Sequence, residues 1–591
     1  MEYAKLFPGA GIEVLCAVWL MLAAYGCGRL LFCKAENAPS HLVMLACGMA
    51  LDSCLGVFVP VAVMLPVLAA AGCFGAYKLF FEIKKSPYLW SATVAVALLF
   101  AGNALLPPWS WDEQVYQISL LKNYVETGSF PVRPDNPYSA YPSLVHAFLL
   151  PAAAVGGVTV ARLTALMVMA VCCAGFYRRF AQDKLLTLPV LAALMLSQLT
   201  LILLRDFYVE PFILLFAFAG LDALWKRKPE RTDVAAAAVA AAACASVKLT
   251  GIGMALCIVI SLFCRPESRR YWKTFFAVAI LTAMPFFCRV LWYTGNPFYP
   301  YFSGIFGTSQ DVEVEKFHRI LGGHYGIDPL FGTGLGWLFA AWQKKLYDGI
   351  VAGWQFPLFF VTALLGSWRL FRNEPDKGKK WLYVMIILLA GYIFWSLTAR
   401  QTRFLFPVMF VAAALSLAVI IYSKNRLWRK IFITLTSVTL LWSIYSGYRQ
   451  ILHYYHAWRL VKNVRQHPLE FAMRHERGMV PFVRQINALP QGSRIAMLME
   501  RRTLYLKRDV TLLMPFFQKR LTPLPENSAA LLEELKHFDY LAVRLPETDV
   551  DSAEEYVPQF ARLYGMVKEL VDSGELQYLQ SSGQAILRVA P

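Results

Sequence analysis

Two adjacent carboxylates, Asp112 and Glu113, follow directly on a hydrophobic stretch that ends near Leu106. Acids at the mouth of a membrane helix are costly and are retained where they are paired or used. A carboxylate within hydrogen-bond reach of a hydroxyl or amine can take its proton as a general base. Asp112 is therefore the first candidate base and Glu113 the second. Both lie in Trp111-Asp-Glu-Gln-Val-Tyr116, with Trp109 beside them and Pro134-Asp-Asn-Pro-Tyr-Ser-Ala-Tyr-Pro142 following. A loop this rich in proline and aromatics suits a binding surface at headgroup level, with Trp111, Tyr116, Tyr138 and Tyr141 as contacts. A plainer reading competes. Val115, Ile118, Leu121 and Val125 recur at helical spacing, which makes Asp112 the N-cap of an interfacial helix.

Other polar residues stand at the ends of later apolar runs. Arg205, Asp206 and Glu210 lie at one junction, and Arg400 and Arg403 at another. Lys248 interrupts an apolar run in Ala245-Ser-Val-Lys-Leu-Thr-Gly251. Snorkelling at a helix end accounts well for Arg400 and poorly for Lys248. Two acids and two or three cations converging on one membrane face would form a pocket for a lipid phosphate and an incoming nucleophile. Fixed cations such as Lys248 and Arg403 would meet the charge on a departing phosphate. No phosphate-cradling glycine-rich loop is present, which argues against a nucleotide substrate.

The elements that must hold these residues are membrane helices. The 591-residue chain is 58% hydrophobic and 16% charged, well below the charged share of a soluble domain. Its apolar residues fall into about fourteen runs of bilayer-spanning size, the first at 11–32 and the last at 428–447. Run 11–32 contains Glu13 and no small-residue cleavage site, and reads as an anchor. Lysine and arginine clusters at 84–85, 178–179, 226–228, 269–270, 377–380 and 424–430 fall on one side, which the positive-inside rule makes cytoplasmic. The net charge of +18 then reflects topology and implies no nucleic-acid partner. The twelve cysteines lie between Cys16 and Cys288 without metal-ligand spacing, so neither a disulfide framework nor a structural zinc site is expected.

Three regions follow. Residues 1–106 hold the N-terminal spans. Residues 107–449 hold a membrane core with outer loops 107–157 and 292–350. Residues 450–591 form an extracytoplasmic α/β domain, with strands expected at 494–499, 539–544 and 584–589 and helices at 477–488, 528–536 and 553–572.

These motifs together resemble the polytopic C-type (GT-C) glycosyltransferases, in the broad group of protein O-mannosyltransferases and lipid A aminoarabinose transferases. Trp111-Asp-Glu-x-x-Tyr116 resembles the group's acidic motif in its first large outer loop. Lys122-Asn-Tyr124, Gly128 and Asn136-Pro-Tyr-Ser-x-Tyr-Pro142 resemble elements of the bacterial branch. Glu210 falls where a second acid is usual, Lys248 matches a Lys-x-x-Gly element, and Arg403-Phe-Leu-Phe-Pro407 an Arg-aromatic-x-x-Pro element. Thr294-Gly-Asn-Pro-Phe-Tyr-Pro300 matches a Gly-Asn-Pro turn that brings in Asn296. Glu500-Arg-Arg-Thr-Leu-Tyr-Leu506 is similar to related outer domains. Two departures stand out: His146 occupies a position where relatives often carry an acid, and the spans before the acidic loop outnumber those of many relatives.

The resemblance implies a GT-C-like α-helical polytopic fold of about fourteen spans in the bacterial inner membrane. It implies an inverting glycosyltransferase that moves a sugar from a polyprenyl-phosphate donor to an extracytoplasmic glycan, lipid or protein acceptor. Asp112 would be the base, Glu210 would orient the acceptor, and Lys248, Arg403 and Arg400 would hold the phosphate. Trp111, Tyr116, Tyr138, Tyr141, His146 and Asn296 would line the substrate site. A divalent metal ion is left open. The alternatives are a lipid-linked saccharide transporter and an O-antigen polymerase or ligase. A transporter would bury its charges near the bilayer midplane, whereas here they gather at one face.

Overall fold

The computed structural model describes residues 3–33, 39–226, 228–324, 353–373, 378–398, 401–423, 425–476, 478–544, 554–581 and 584–590. The chain is an integral membrane protein. Among the described residues, eight helices are long and apolar enough to cross a membrane, or nine if the bent pair Lys184–Met195 and Gln198–Arg205 is one span. The count of about fourteen is not reached. The apolar runs do form helices, but several fold short: Glu210–Leu224 has 15 residues, Arg231–Val247 has 17 and Ile252–Cys264 has 13. At 1.5 Å per residue a 13-residue helix spans only about 20 Å, less than a bilayer core. A further apolar helix, Leu144–Gly156, lies inside the loop expected at 107–157 and is almost wholly buried.

The bundle is closed by small residues. Without a hydrophobic effect between helices in lipid, close backbone approach is what holds them together. Helix Ala10–Leu31 packs against His41–Phe58 through Gly28 and Gly48. A Cβ on Gly48 would collide with the carbonyl of Ala24, and one on Gly28 with the carbonyl of Met44. At the far end of this helix, buried Glu13 pairs with Arg465, whose Nη1 donates to Glu13 Oε2 at 2.8 Å.

The basic clusters gather at one end of the bundle. Arg179 faces Asp222, Lys226 binds Asp233, Arg265 donates to the carbonyls of Leu224 and Lys226, and Arg429 binds Asp183. Glu210 begins the helix that leads to Lys226, and Arg162 lies in the first turn of the helix that ends at Arg178 and Arg179. About 16 residues of helix, roughly 24 Å, therefore separate the acidic end of the bundle from the basic end.

The helix Arg426–Val464 has 39 residues, about 58 Å, nearly twice the thickness of a bilayer core. It leads to a five-stranded sheet of order β2-β1-β3-β5-β4. The strands are β1 (Ile495–Leu498), β2 (Val510–Leu513), β3 (Tyr540–Arg544), β4 (Leu576–Ser581) and β5 (Gln584–Val589). Strands β2 and β3 flank β1 in parallel, and β5 pairs antiparallel with β3 and β4. The three expected strands are the central ones, β1, β3 and β5, and the expected helices are present at Met479–Ala488, Ser528–Leu535 and Val557–Asp572. The sequence reading misses the two edges. Val510–Leu513 is broken by Thr511, and Leu576–Ser581 is half polar, so neither reads as an unbroken apolar run.

The Gly28–Gly48 contact generates a test. Gly48→Ala places a methyl where the structure has a carbonyl, and the two helices must separate. We expect a loss of about 1–3 kcal/mol in the thermal stability of the purified protein. An unchanged melting temperature would show that this helix pair does not limit stability.

Candidate active site

Asp112 and Glu113 are neighbours with opposite fates. Glu113 is fully buried and accepts from Arg162 twice, Nε at 2.5 Å and Nη2 at 2.6 Å. Its carboxylate also accepts from the backbone N–H groups of Trp109, Ser110 and Phe207 and from the Ser110 hydroxyl. With six donors around two oxygens, no lone pair is left to take a substrate proton. The Arg162 guanidinium goes on to bind the carbonyl of Leu106 at 3.0 Å. Glu113 thus joins the end of one span, the start of another and the junction before Glu210.

Asp112 is turned the other way. It does not cap the helix that follows; the chain passes through a π-helical turn, Glu113–Gln117, into Ile118–Thr127, and no side-chain cap forms. Its Oδ2 accepts from the Tyr116 hydroxyl at 3.0 Å and from Arg403 Nη1 at 2.5 Å. Both partners of this ion pair keep some access, at 15% and 12% exposure. Arg403 is steadied by Gln401, which accepts from its Nε at 2.9 Å, and lies against the rings of Tyr208 and Phe404.

Phe404 also carries Lys248, whose Nζ lies 4.2 Å from the ring centroid. Lys248 occupies a break: it is extended between Arg231–Val247 and the single 3-10 turn Leu249–Gly251. Gly251 permits this turn, because a Cβ there would strike the carbonyl of Cys244. That is the physical content of the Lys-x-x-Gly spacing. Lys248 Nζ stands 3.5 Å from Glu210 Oε1, yet neither oxygen of this buried carboxylate has a hydrogen bond within the protein. Glu210 lines a small cavity of about 20 Å³ with Thr250, whose hydroxyl is also without a partner, and with Trp395, Phe404 and Met254.

The structure therefore brings together Asp112, Tyr116, Glu210, Lys248 and Arg403. The Tyr116 and Tyr138 rings meet at a tilt with centroids 4.2 Å apart, and Tyr138 meets Tyr141 edge-on at 5.5 Å, so the aromatic loop adjoins Asp112. Burial pushes the Tyr138 phenol up to about 12; the Arg501 charge pulls it down and the Asp112 charge pushes it up. Trp111 lies against Arg501 at 4.5 Å. Two expected contacts are occupied elsewhere. His146 Nε2 lies 2.7 Å from the carbonyl of Gln117. Asn296 closes its own turn, donating to the carbonyl of Tyr301 at 2.7 Å and accepting from the N–H of Phe298 at 2.9 Å. Arg400 and residues 325–350 of the loop 292–350 lie outside the described residues. Among the described residues, no group of three or more His, Cys, Asp or Glu could hold a metal ion.

The sequence reading passed over three arginines. Arg162 locks Glu113. Arg289 donates to the carbonyls of Phe130, Pro131 and Ser139 and sets the course of the aromatic loop. Arg501 reaches Trp111 from the C-terminal sheet region. Arg162 and Arg289 each interrupt an apolar run, the same signal that singled out Lys248.

The C-terminal region seats directly on this loop. Thr503 N–H donates to the carbonyl of Gln114, the Tyr505 hydroxyl to that of Pro108, and Leu512 N–H to Asp135. Glu500 anchors the seat: burial would raise its carboxyl, but Arg502 and Arg544 hold it down at about 2.

Removing one member of the Glu113–Arg162 pair leaves a buried charge without its counterpart, at a cost of about 3–5 kcal/mol. Glu113→Gln and Arg162→Leu should each show that loss in thermal unfolding, and the double variant Glu113→Leu/Arg162→Leu should recover much of it. Single variants with native stability would remove the pair from its structural role.

Residues 158–410 match the family model described as Domain of unknown function (DUF8201). No curated protein matches the sequence. The structure is similar to those of ArnT from Cupriavidus metallidurans, solved bound to undecaprenyl phosphate and in the apo state. The bound form aligns at TM-score 0.49 and 13% identity, over 85% of this chain and 99% of that one. The apo form aligns at TM-score 0.48 and 14% identity, over 85% and 98%.

Proposed function

We propose that this protein is an integral-membrane glycosyltransferase that moves a sugar from a polyprenyl-phosphate donor to an extracytoplasmic acceptor. One arrangement carries the proposal: Arg403 pairs with Asp112, a partly accessible carboxylate, and shares the Phe404 ring with Lys248, which stands 3.5 Å from Glu210. A general base and two phosphate-binding cations are what transfer from a lipid phosphate requires. The acceptor is a hydroxyl or amine on a lipid, glycan or protein. The basic end of the bundle, opposite this site, is assigned to the cytoplasm. The membrane is then a bacterial inner membrane, with the catalytic loops and the 450–591 region outside.

Arg403 links binding to chemistry. Without donor it neutralises Asp112. The phosphodiester anion of an arriving donor competes for the guanidinium, and Lys248 turns from its loose contact with Glu210 towards the same phosphate. Asp112 is thereby released as a base. The acceptor oxygen or nitrogen attacks the anomeric carbon from the face opposite the phosphate. Its proton passes to Asp112, the bond from the anomeric carbon to the phosphate oxygen breaks, and the electron pair leaves with the phosphate. Configuration inverts. Glu210 orients the acceptor, and Trp111, Tyr116, Tyr138 and Tyr141 form the wall along which the sugar lies. Glu113 holds the loop and takes no proton.

Two measurements test this assignment. Asp112→Asn should lower turnover by about a hundredfold or more, with donor affinity equal to or above that of the native protein because Arg403 has lost its competitor. Turnover near the native rate would move the base to Glu210. Arg403→Ala and Lys248→Ala should each weaken binding of a polyprenyl-phosphate sugar by about tenfold or more. Lys248 and Glu210 lack a close hydrogen bond, so Lys248→Ala should cost far less thermal stability than Arg162→Leu. If Lys248→Ala and Glu210→Ala each lose stability, the double variant regains it and donor affinity never changes, Lys248 is structural and the phosphate site is misassigned.

A further inference from the structure

Arg501 is a buried cation without a counter-charge. It lies in the turn after β1, is 7% exposed, and its guanidinium is clamped between the rings of Trp111, at 4.5 Å, and Phe517, at 4.6 Å. Among the described residues it has no carboxylate partner and its side chain makes no hydrogen bond; Nη1 is buried and unmatched. Its sequence neighbours differ. Glu500 is committed to Arg502 and Arg544, and Arg502 also binds Glu476. The aromatic faces hold Arg501 in place but satisfy none of its five N–H donors.

The place is as telling as the lack of a partner. Trp111 immediately precedes Asp112. From Asp112 a chain of contacts runs through Tyr116 and Tyr138 to Phe517 and returns through Arg501 to Trp111. Arg501 thus closes a ring of aromatics around the base. His318 also meets Tyr138 and Phe517. Burial pushes its imidazole down to about 4, so it is neutral at pH 7 and brings no second charge. A desolvated guanidinium with free donors is costly unless an anion completes it.

Resting on the glycosyltransferase reading above, and widening its donor to include polyprenyl diphosphates, we propose that Arg501 forms a second anion subsite, separate from Arg403 and Lys248, for a phosphate or carboxylate group of a substrate. The group has two sources. It is the second phosphate of a diphosphate donor, or an anionic substituent on the acceptor. In either case the C-terminal region contributes directly to substrate choice, through a planar donor fork that takes two oxygens at once.

The test uses the full-length protein in nanodiscs and reads affinity and melting temperature. The probes are a short-chain polyprenyl monophosphate, the corresponding diphosphate, and inorganic phosphate added to monophosphate-loaded protein. A diphosphate donor predicts that diphosphate binds about tenfold or more tightly than monophosphate, and that Arg501→Ala removes this difference while leaving monophosphate binding unchanged. An anionic acceptor predicts equal affinity for both lipids but a second binding event with inorganic phosphate, absent in Arg501→Ala. Arg501→Lys should keep a weakened form of either signal, and Arg501→Gln replaces Arg501→Ala if the latter does not fold. The subsite is overturned if the native protein shows neither signal, or if Arg501→Gln retains it in full. The glycosyltransferase assignment fails separately, through monophosphate binding that is absent or indifferent to Arg403→Ala.

Discussion

A carboxylate and a guanidinium, Glu113 and Arg162, meet in a space closed to water, and the candidate site is arranged around them. Isolated, either charge would be expensive at that depth. Together, with backbone donors from Trp109, Ser110 and Phe207 completing the carboxylate, they fix three chain segments against one another. The segment 106–113 cannot shift without breaking these bonds, and neither can the junction leading to Glu210. Asp112 inherits its position from Glu113 because the two are adjacent. The proposed base is thus placed by a neighbour whose carboxylate is already saturated.

The site combines a rigid pair with a looser one. Glu113 and Arg162 are saturated, whereas Glu210 and Lys248 approach to 3.5 Å with unmatched oxygens beside a cavity. Asp112 and Arg403 lie between these extremes, tightly bonded but still reachable. Preorganisation for catalysis requires fixed donors where charge develops, and exchangeable ones where a ligand must enter. The gradation from saturated to unmatched follows that division across a single face of the bundle.

Much of this was readable from the sequence. Lys248 stood out because an ammonium in an apolar run needs a reason, and Asp112 because an acid at a helix mouth does. The Lys-x-x-Gly spacing marked the helix break, though the need for Gly251 became visible only with the carbonyl of Cys244 against it. Asp112 as an N-cap was a reasonable local expectation, and it failed because a partner 291 residues away, Arg403, outcompetes the backbone. Arg162 and Arg289 emitted the same signal as Lys248, but their partners are carbonyls and a carboxylate supplied by distant segments. Hydropathy also could not distinguish whole spans from short or bent helices, since Glu210–Leu224 and Ile252–Cys264 are as apolar as full crossings. The edge strands escaped for a related reason: one is very short and broken by Thr511, and half the residues of the other are polar.

The pairing of Glu13 with Arg465 joins positions 452 residues apart in a chain of 591. A ribosome emits the first helix long before the arginine that neutralises its acid exists. During biogenesis Glu13 must therefore stay hydrated at the interface or be sheltered by the insertion machinery. The helix bearing Arg465 is also the last to enter, and it delivers the sheet region onto the 107–142 loop. Assembly of the site is consequently a terminal event of synthesis, and a nascent chain halted before Arg426 would hold Asp112 without either Arg501 above it or the clasp that seals the bundle.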